Sequence, residues 1–250
     1  MTPTLALLHG FTGSGRSFDH LRERLEARFR ILAPDLPGHG ASPDATGWDD
    51  ALDSVAAALG PSPLFLAGYS MGARPALAYA LRFPDRVRAL VLESGSPGIA
   101  DPDERAGRKF EDEALATMAE REGIDAFIDR WEEHPTLATL RDLPEPIASK
   151  LRERRRRNRV EGLASALRHL GSGAQPSLWN DLLHLRAKAL LLAGERDPKF
   201  TAIAHSMARA IPGARLHLFP TAGHAPHLEA PDEYAAALLD HFTPREGTRP

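Results

Sequence analysis

Leu64-Phe65-Leu66-Ala67-Gly68-Tyr69-Ser70-Met71-Gly72-Ala73-Arg74 decides how the rest of the chain is read. An apolar run suited to a buried strand leads straight into Gly68-x-Ser70-x-Gly72. An alanine-rich run of helical composition follows, from Ala73 to Phe83. Strand, sharp turn and helix are the setting of a nucleophile elbow, a strained turn that lifts a serine hydroxyl above the end of a sheet. A side chain at Gly68 or Gly72 would collide with the neighbouring strand or helix. Three fixed positions match by chance about 0.1 times in a chain of this length, so the flanking strand and helix give the match its weight.

An acid and a base follow in order. The apolar run Ala189 to Ala193 ends in Gly194-Glu195-Arg196-Asp197, which puts a carboxylate just past a strand. Arg215 to Phe219 alternates polar and apolar and leads to Pro220-Thr221-Ala222-Gly223-His224. Ser70, Asp197, His224 is the α/β-hydrolase order of nucleophile, acid and base. His224 takes the serine proton, and Asp197 holds the imidazole tautomer and stabilises its cation. Taken singly, Asp197 reads equally well as the cap of a helix near Lys199, and His224 as a turn residue. Glu93, past another strand, is the alternative acid and His227 the alternative base.

The 250 residues fit one α/β unit with an insertion and a large core. A net charge of −3 argues against a nucleic-acid or membrane surface. No cysteine is present, so disulfides and thiolate zinc sites are excluded, and no metal or cofactor is expected. The first strand begins near Thr4, so no signal peptide is expected ahead of it, and no apolar run reaches the roughly 20 residues of a membrane span. The expectation is a cytoplasmic enzyme, a monomer or small homo-oligomer.

Strands near residues 4, 30, 64, 87, 189 and 215 alternate with helices at Phe18–Ala27, Trp48–Leu59 and Asp232–Phe242. This predicts a mostly parallel six-stranded sheet flanked by helices. Residues 243–250 are expected to be disordered. Residues 101–170 break the rhythm: they are charged, helical in character and interrupted by Pro135, Pro144 and Pro146. They are read as a helical cap inserted into a core made of 1–100 and 171–250. Within it, Arg152, Arg154, Arg155, Arg156, Arg157 and Arg159 form a basic run. It reads mainly as a solvated helix paired with Glu153 and Glu161, one or two side chains turning inward to an anionic substrate. Asp35-Leu36-Pro37-Gly38-His39-Gly40 reads as a structural turn below the pocket.

A serine mechanism needs donors aimed at developing negative charge. The N–H of Met71, just after the nucleophile, and that of Phe11, in the glycine-rich loop after the first strand, are placed to supply them. Arg74 lies in the first turn of the elbow helix. A guanidinium there suggests a carboxylate in the substrate, bound in a bidentate fork; the alternative is an ion pair with Asp35 or Glu93. Lys199 either adds to the positive field or lies on the surface.

Several strings together resemble the 2-succinyl-6-hydroxy-2,4-cyclohexadiene-1-carboxylate synthase (MenH) family of α/β-hydrolases. They are His9-Gly10-Phe11-Thr12-Gly13-Ser14, Asp35 to Gly40, Gly68 to Arg74, Glu93-Ser94-Gly95-Ser96-Pro97-Gly98, Gly171-Ser172-Gly173-Ala174-Gln175-Pro176-Ser177-Leu178-Trp179, Gly194 to Phe200, and Gly223-His224-Ala225-Pro226-His227. The first two are common to many α/β-hydrolases. The arginine after the elbow, the Gly-Ala-Gln-Pro-Ser stretch and Glu-Arg-Asp-x-Lys-Phe are more specific. The resemblance implies a lyase of menaquinone biosynthesis that eliminates pyruvate from 2-succinyl-5-enolpyruvyl-6-hydroxy-3-cyclohexene-1-carboxylate without an acyl-enzyme. It also implies that Arg74, Arg108 and one clustered arginine, Arg157 with Arg155 as its alternative, bind the carboxylates of this small substrate, and that Tyr69 and Trp131 line the pocket. Ala73 and Pro75 depart from the family pattern. The competing reading is a serine hydrolase of esters, thioesters or carbon–carbon bonds on the same triad. A pocket with several inward cations favours the polyanion, and an apolar lining favours simple esters.

Overall fold

A computed structural model describes residues 2–243. Residues 244–250, the greater part of the tail expected to be disordered, lie outside the described residues. The six strands are β1 (Thr4–Leu8), β2 (Arg30–Leu32), β3 (Leu64–Tyr69), β4 (Val87–Glu93), β5 (Lys188–Gly194) and β6 (Arg215–Phe219). They pair in the order β2-β1-β3-β4-β5-β6, and every pairing is parallel. Parallel strands require crossovers, and helices on both faces bury the sheet. The inner strands accordingly read as near-continuous apolar runs; Leu5, Ala6, Leu7 and Leu8 of β1 have no exposure at all. Each fully buried leucine side chain contributes about 1.5–3 kcal/mol.

The helices are α1 (Arg22–Glu26), α2 (Trp48–Leu59), α3 (Ala73–Arg82), α4 (Pro102–Glu132), α5 (Glu145–Arg156), α6 (Val160–Leu170), α7 (Pro198–Ala210), α8 (Pro226–Glu229) and α9 (Pro231–Phe242). The helix expected at Phe18–Ala27 is shorter: a 3-10 turn at Asp19–Leu21 precedes α1. α2, α3 and α7 pack on one face of the sheet with Leu66, Leu77 and Met207. α9 packs on the other, with Phe219, Tyr234 and Leu238.

Between β4 and β5 the chain runs through α4, a 3-10 segment at Pro135–Asp142, α5 and α6. Asp101 caps α4, its carboxylate accepting the N–H groups of Asp103 and Glu104, with Pro102 in the first turn where no N–H is needed. Gly123, at φ +84°, breaks α4 inside its 31 residues. The two parts present different residues to the same cavity, Arg108 and Asp112 from the first and Trp131 from the second. Phe127, Ile128, Ala116 and Ala119 bury against Leu163 and Leu167 of α6, giving this segment its own small core.

Candidate active site

β3 ends at Tyr69, and Ser70 follows in the left-handed region at φ +50°. That conformation costs a non-glycine residue about 1–2 kcal/mol, so its surroundings must enforce it. The two glycines show how. A Cβ on Gly68 would lie 2.5 Å from the Gly72 carbonyl oxygen and 2.7 Å from Cα of Ala73. A Cβ on Gly72 would run into the backbone of Leu8 and His9. The turn therefore presses directly on β1 and on the start of α3. Ala73 is accommodated by a third glycine: a Cβ on Gly95 would meet the Ala73 methyl at 2.7 Å. Pro75 sits in the first turn of α3, where its missing N–H breaks no ladder bond.

The loops after β5 and β6 bring the acid and base to this serine. Ser70 Oγ donates to His224 Nε2 at 2.9 Å, and His224 Nδ1–H donates to Asp197 Oδ2 at 2.7 Å. Asp197 and His224 are both buried. Asp197 also caps α7, its Oδ1 accepting the Phe200 N–H at 3.2 Å, so the helix-cap and imidazole-partner readings both hold, one for each carboxylate oxygen. Phe200 packs against the imidazole from the side, its ring 4.6 Å away and inclined at 64°.

The loop after β1 stands opposite. Gly10 is required by close approach, since a Cβ there would meet the Tyr69 ring at 2.5 Å. The Thr12 N–H donates to His39 Nε2, and the Thr12 carbonyl accepts from Asn158 at 2.9 Å. Among the described residues, neither the Phe11 N–H nor the Met71 N–H has a protein acceptor. Both residues line the cavity with Ser70, so the pair of donors is open to a ligand oxygen.

The turn from Asp35 to Gly40 is structural. Asp35 accepts the N–H groups of Gly15 and Ala41, and His9 Nε2 accepts that of Leu36. Burial lowers the pKa of His9 to about 4 and that of His39 to about 3, the neighbouring His9 adding to the latter. Both are neutral acceptors at neutral pH.

The cavity walls are cationic. Arg74 pairs with neither Asp35 nor Glu93. Its guanidinium donates to the Leu170 carbonyl at 2.7 Å and to Ser172 Oγ at 3.2 Å. Burial lowers its pKa to about 10, with Asp112 opposing and Arg108 adding, so it stays charged at neutral pH. Arg108 is oriented by Asp112, whose Oδ1 accepts from Nε at 2.8 Å. Asp112 Oδ2 also accepts the Gly173 N–H at 3.1 Å. The Gly-Ser-Gly-Ala-Gln-Pro-Ser stretch thus has a physical task. It ties Arg74 and α4 to the loop after β4, where Gln175 donates to the Ser96 carbonyl. Lys199 lines the cavity as well.

Arg157 is a correction. Its side chain is 67% exposed and pairs with Glu153 one turn back. Leu151, Arg154 and Arg155 line the cavity instead. Spacings of three and four put these residues on one face of α5, whereas Glu153 and Arg157 share another. Arg155 is steadied by Glu132 at 3.0 Å. Burial lowers the pKa of Arg154. Tyr69 and Trp131 line the cavity, the Trp131 ring 5.0 Å from Phe11. Sequence reasoning passed over Asp112 and His134. The four-residue step from Arg108 to Asp112 on a helix was the available signal for the first. His134, stacked 5.3 Å from Trp131, had none.

Glu93 and His227, the alternative acid and base, take neither place in the chain from Ser70 to Asp197; they bond each other. Among the described residues no group of three or more His, Asp or Glu side chains could hold a metal ion, and no helix is long and apolar enough to cross a membrane.

The chain is similar to known proteins over most of its length. The model of the alpha/beta hydrolase family matches residues 5–237. A Bacillus subtilis protein provisionally named 2-succinyl-6-hydroxy-2,4-cyclohexadiene-1-carboxylate synthase is 36% identical, the match covering 94% of this chain and 89% of that protein. The synthase of that name from Klebsiella pneumoniae is 33% identical, over 94% and 92%. Among solved structures, MenH from S. aureus superposes with a TM-score of 0.91 at 32% identity, covering 96% of this chain and 93% of that one. A thermophilic esterase from Thermogutta terrifontis, with malate bound, gives 0.81 at 28% identity, over 96% and 90%.

Proposed function

The chain belongs to the 2-succinyl-6-hydroxy-2,4-cyclohexadiene-1-carboxylate synthase (MenH) family of α/β-hydrolases, a family of menaquinone-pathway lyases, and from that premise we propose how its residues carry out the elimination. The observation that carries the proposal is the conjunction of the Ser70–His224–Asp197 hydrogen-bond chain with a cavity walled by Arg74, Arg108, Arg154 and Arg155. Substrate and product differ by a 1,4-elimination. The hydrogen on ring carbon 2, next to the succinyl ketone, is lost, the ring double bond shifts, and the oxygen on carbon 5 leaves with the pyruvyl unit.

In this proposal His224 takes the Ser70 proton and the serine oxygen removes the acidic ring hydrogen. Negative charge moves to the ketone oxygen, where the N–H groups of Phe11 and Met71 receive it. The arginines bind the carboxylates, and guanidinium is suited to that task because its fork matches a carboxylate. Tyr69 and Trp131 flank the ring. No acyl-enzyme forms and no cofactor takes part. The proposal places the enzyme in the cytoplasm, where the bilayer's resistance to charge retains a polycarboxylate intermediate.

Ester hydrolysis is the second reading, favoured by the same hydrogen-bond chain and by the likeness to the T. terrifontis esterase. One assay separates them. Purified protein with fresh enolpyruvyl substrate is followed for pyruvate beside a panel of p-nitrophenyl esters. Rapid pyruvate release with poor ester turnover is expected, and Ser70→Ala, Asp197→Asn and His224→Ala should each cut it by orders of magnitude without adding, because the three act as a unit. Fast ester turnover with no pyruvate above background would overturn the proposal.

A further inference from the structure

Glu93 and His227 form a second imidazole–carboxylate pair on the cavity wall. His227 Nδ1–H donates to Glu93 Oε1 at 2.7 Å, and the same oxygen accepts the His227 backbone N–H at 3.0 Å. The side chains are 2% and 0% exposed. Two bonds to one carboxylate oxygen fix the ring and reserve Nε2 for another partner. Among the described residues no protein group takes Nε2. It is also absent from the buried polar atoms that are sealed away without a partner. His227 lines the same cavity as Ser70 and His224, so Nε2 opens onto that cavity. The Tyr69 ring lies 4.5 Å from the His227 ring and 5.6 Å from the His224 ring. The two imidazoles therefore both pack against one aromatic ring.

The elimination needs two proton transfers at opposite ends of a six-membered ring. His224 receives a proton through Ser70 and is then a cation committed to Asp197. The departing oxygen on carbon 5 needs a proton from elsewhere.

We propose that His227, held by Glu93, is a second catalytic group that delivers the proton to the departing enolpyruvyl oxygen. The proposal rests on the lyase reading above. The carbon 2–hydrogen bond breaks and its proton goes to Ser70 and His224. Its electron pair forms the new double bond, the carbon 5–oxygen bond breaks, and the oxygen takes the His227 Nε2 proton to leave as the enol of pyruvate. His224 returns its proton to solvent and His227 regains one, so the cycle closes without net proton change.

The surroundings suit a proton donor. Glu93 on β4 neutralises the imidazolium, so the charge is buried as a pair. Tyr69 of β3, Tyr234 of α9, and Phe18 and His20 ahead of α1 pack around the ring. His20 Nε2 bonds the His227 carbonyl oxygen at 2.7 Å. Burial, and next the His227 charge, lower the His20 pKa, so His20 does not compete for the proton. Arg154 acts on His20, and Arg155 and Glu229 act on Tyr69.

The test compares leaving groups on the full chain. Turnover is measured for the enolpyruvyl substrate and for an analogue carrying 4-nitrophenoxide at carbon 5, which departs without needing a proton. His227→Gln is expected to lower kcat on the enolpyruvyl substrate about 100-fold or more, to slow the analogue only a few-fold, to leave KM within a few-fold, and to remove the alkaline limb of the kcat–pH profile. Glu93→Gln keeps the ring in place without its countercharge and is expected to move that limb to lower pH, which reads the same role should His227→Gln fold poorly. Equal slowing of both leaving groups, unchanged turnover of both, or an unmoved limb in Glu93→Gln would overturn the role of His227. Failure of the unaltered protein to release pyruvate would instead sink the lyase reading, and this proposal with it.

Discussion

Asp112→Asn is the perturbation whose size the structure fixes best. The aspartate side chain is 3% exposed and uses both oxygens, Oδ1 for Arg108 Nε at 2.8 Å and Oδ2 for the Gly173 N–H at 3.1 Å. It is tightly enclosed, since a Cβ on Gly171 would lie 2.5 Å from Oδ2. Asparagine has the same shape and enters without a clash. It has only one oxygen, so its NH2 must face either Arg108 Nε–H or Gly173 N–H, donor against donor. A buried donor left without a partner costs about 1–3 kcal/mol. The surviving bond loses its charge assistance, which halves its strength, although Arg108 is a third exposed and solvent screens that loss. A total of about 2–4 kcal/mol is expected. In a protein of this size that lowers Tm by about 4–16 °C. The functional effect is separate. Arg108 loses its fixed orientation while the chain from Ser70 to Asp197 is untouched. KM should rise about 10-fold, equivalent to ~1.4 kcal/mol of binding, with kcat within a few-fold. Thermal melting and steady-state pyruvate release read both effects. An unchanged Tm with an unchanged KM would refute the assignment of Asp112 as the residue that orients Arg108. A loss confined to kcat would show that its charge acts on the chemistry.

Two further outcomes follow from the geometry. Arg74→Lys keeps a cation but cannot hold the Leu170 carbonyl and Ser172 while presenting a fork to a carboxylate; titration with dicarboxylates should show affinity weakened about 10-fold or more with Tm lowered by only a few degrees, and normal affinity in an easily unfolded variant would mark Arg74 as structural. Acid stability should track His9 and His39, whose pKa values fall on folding from 6.5 to about 4 and about 3. Below pH 6.5 the unfolded chain takes protons that the folded chain refuses, so their contribution is complete above that pH and is lost as pH falls through the folded values. For His9 this amounts to about 3 kcal/mol. Urea unfolding at pH 7 and pH 4 should show the loss, and His39→Gln should flatten the slope; an unchanged slope would count against a neutral buried His39.

The sequence by itself determined the sheet and the chain of catalytic groups, because both rest on local chemistry. Strands buried on both faces are apolar almost throughout, so the inner strands β1, β3, β4 and β5 are visible as short apolar runs, while the edge strand β6 shows as a polar–apolar alternation. The elbow needs glycine where Gly68 and Gly72 press on neighbouring backbone, and nothing else fits. Parallel crossovers then carry every strand's carboxyl end to one edge, so residues just past β3, β5 and β6 must converge there. The tertiary structure alone decided the rest. Which arginines of the basic run face inward depends on the rotation of α5 about its axis. Arg154 and Arg155 share the buried face with Leu151, and Arg157 does not. A run of six arginines carries no apolar periodicity from which that rotation can be read. The bonds from Arg74 to Leu170 and from Asp112 to Gly173 join residues 96 and 61 positions apart. Glu93 and His227 each looked like a substitute for a catalytic residue, and they pair because β4 and the turn after β6 deliver them to the same buried spot. A chain states which groups it owns; their mutual distances follow from how packed elements settle against one another, and this sequence leaves no local trace of that packing.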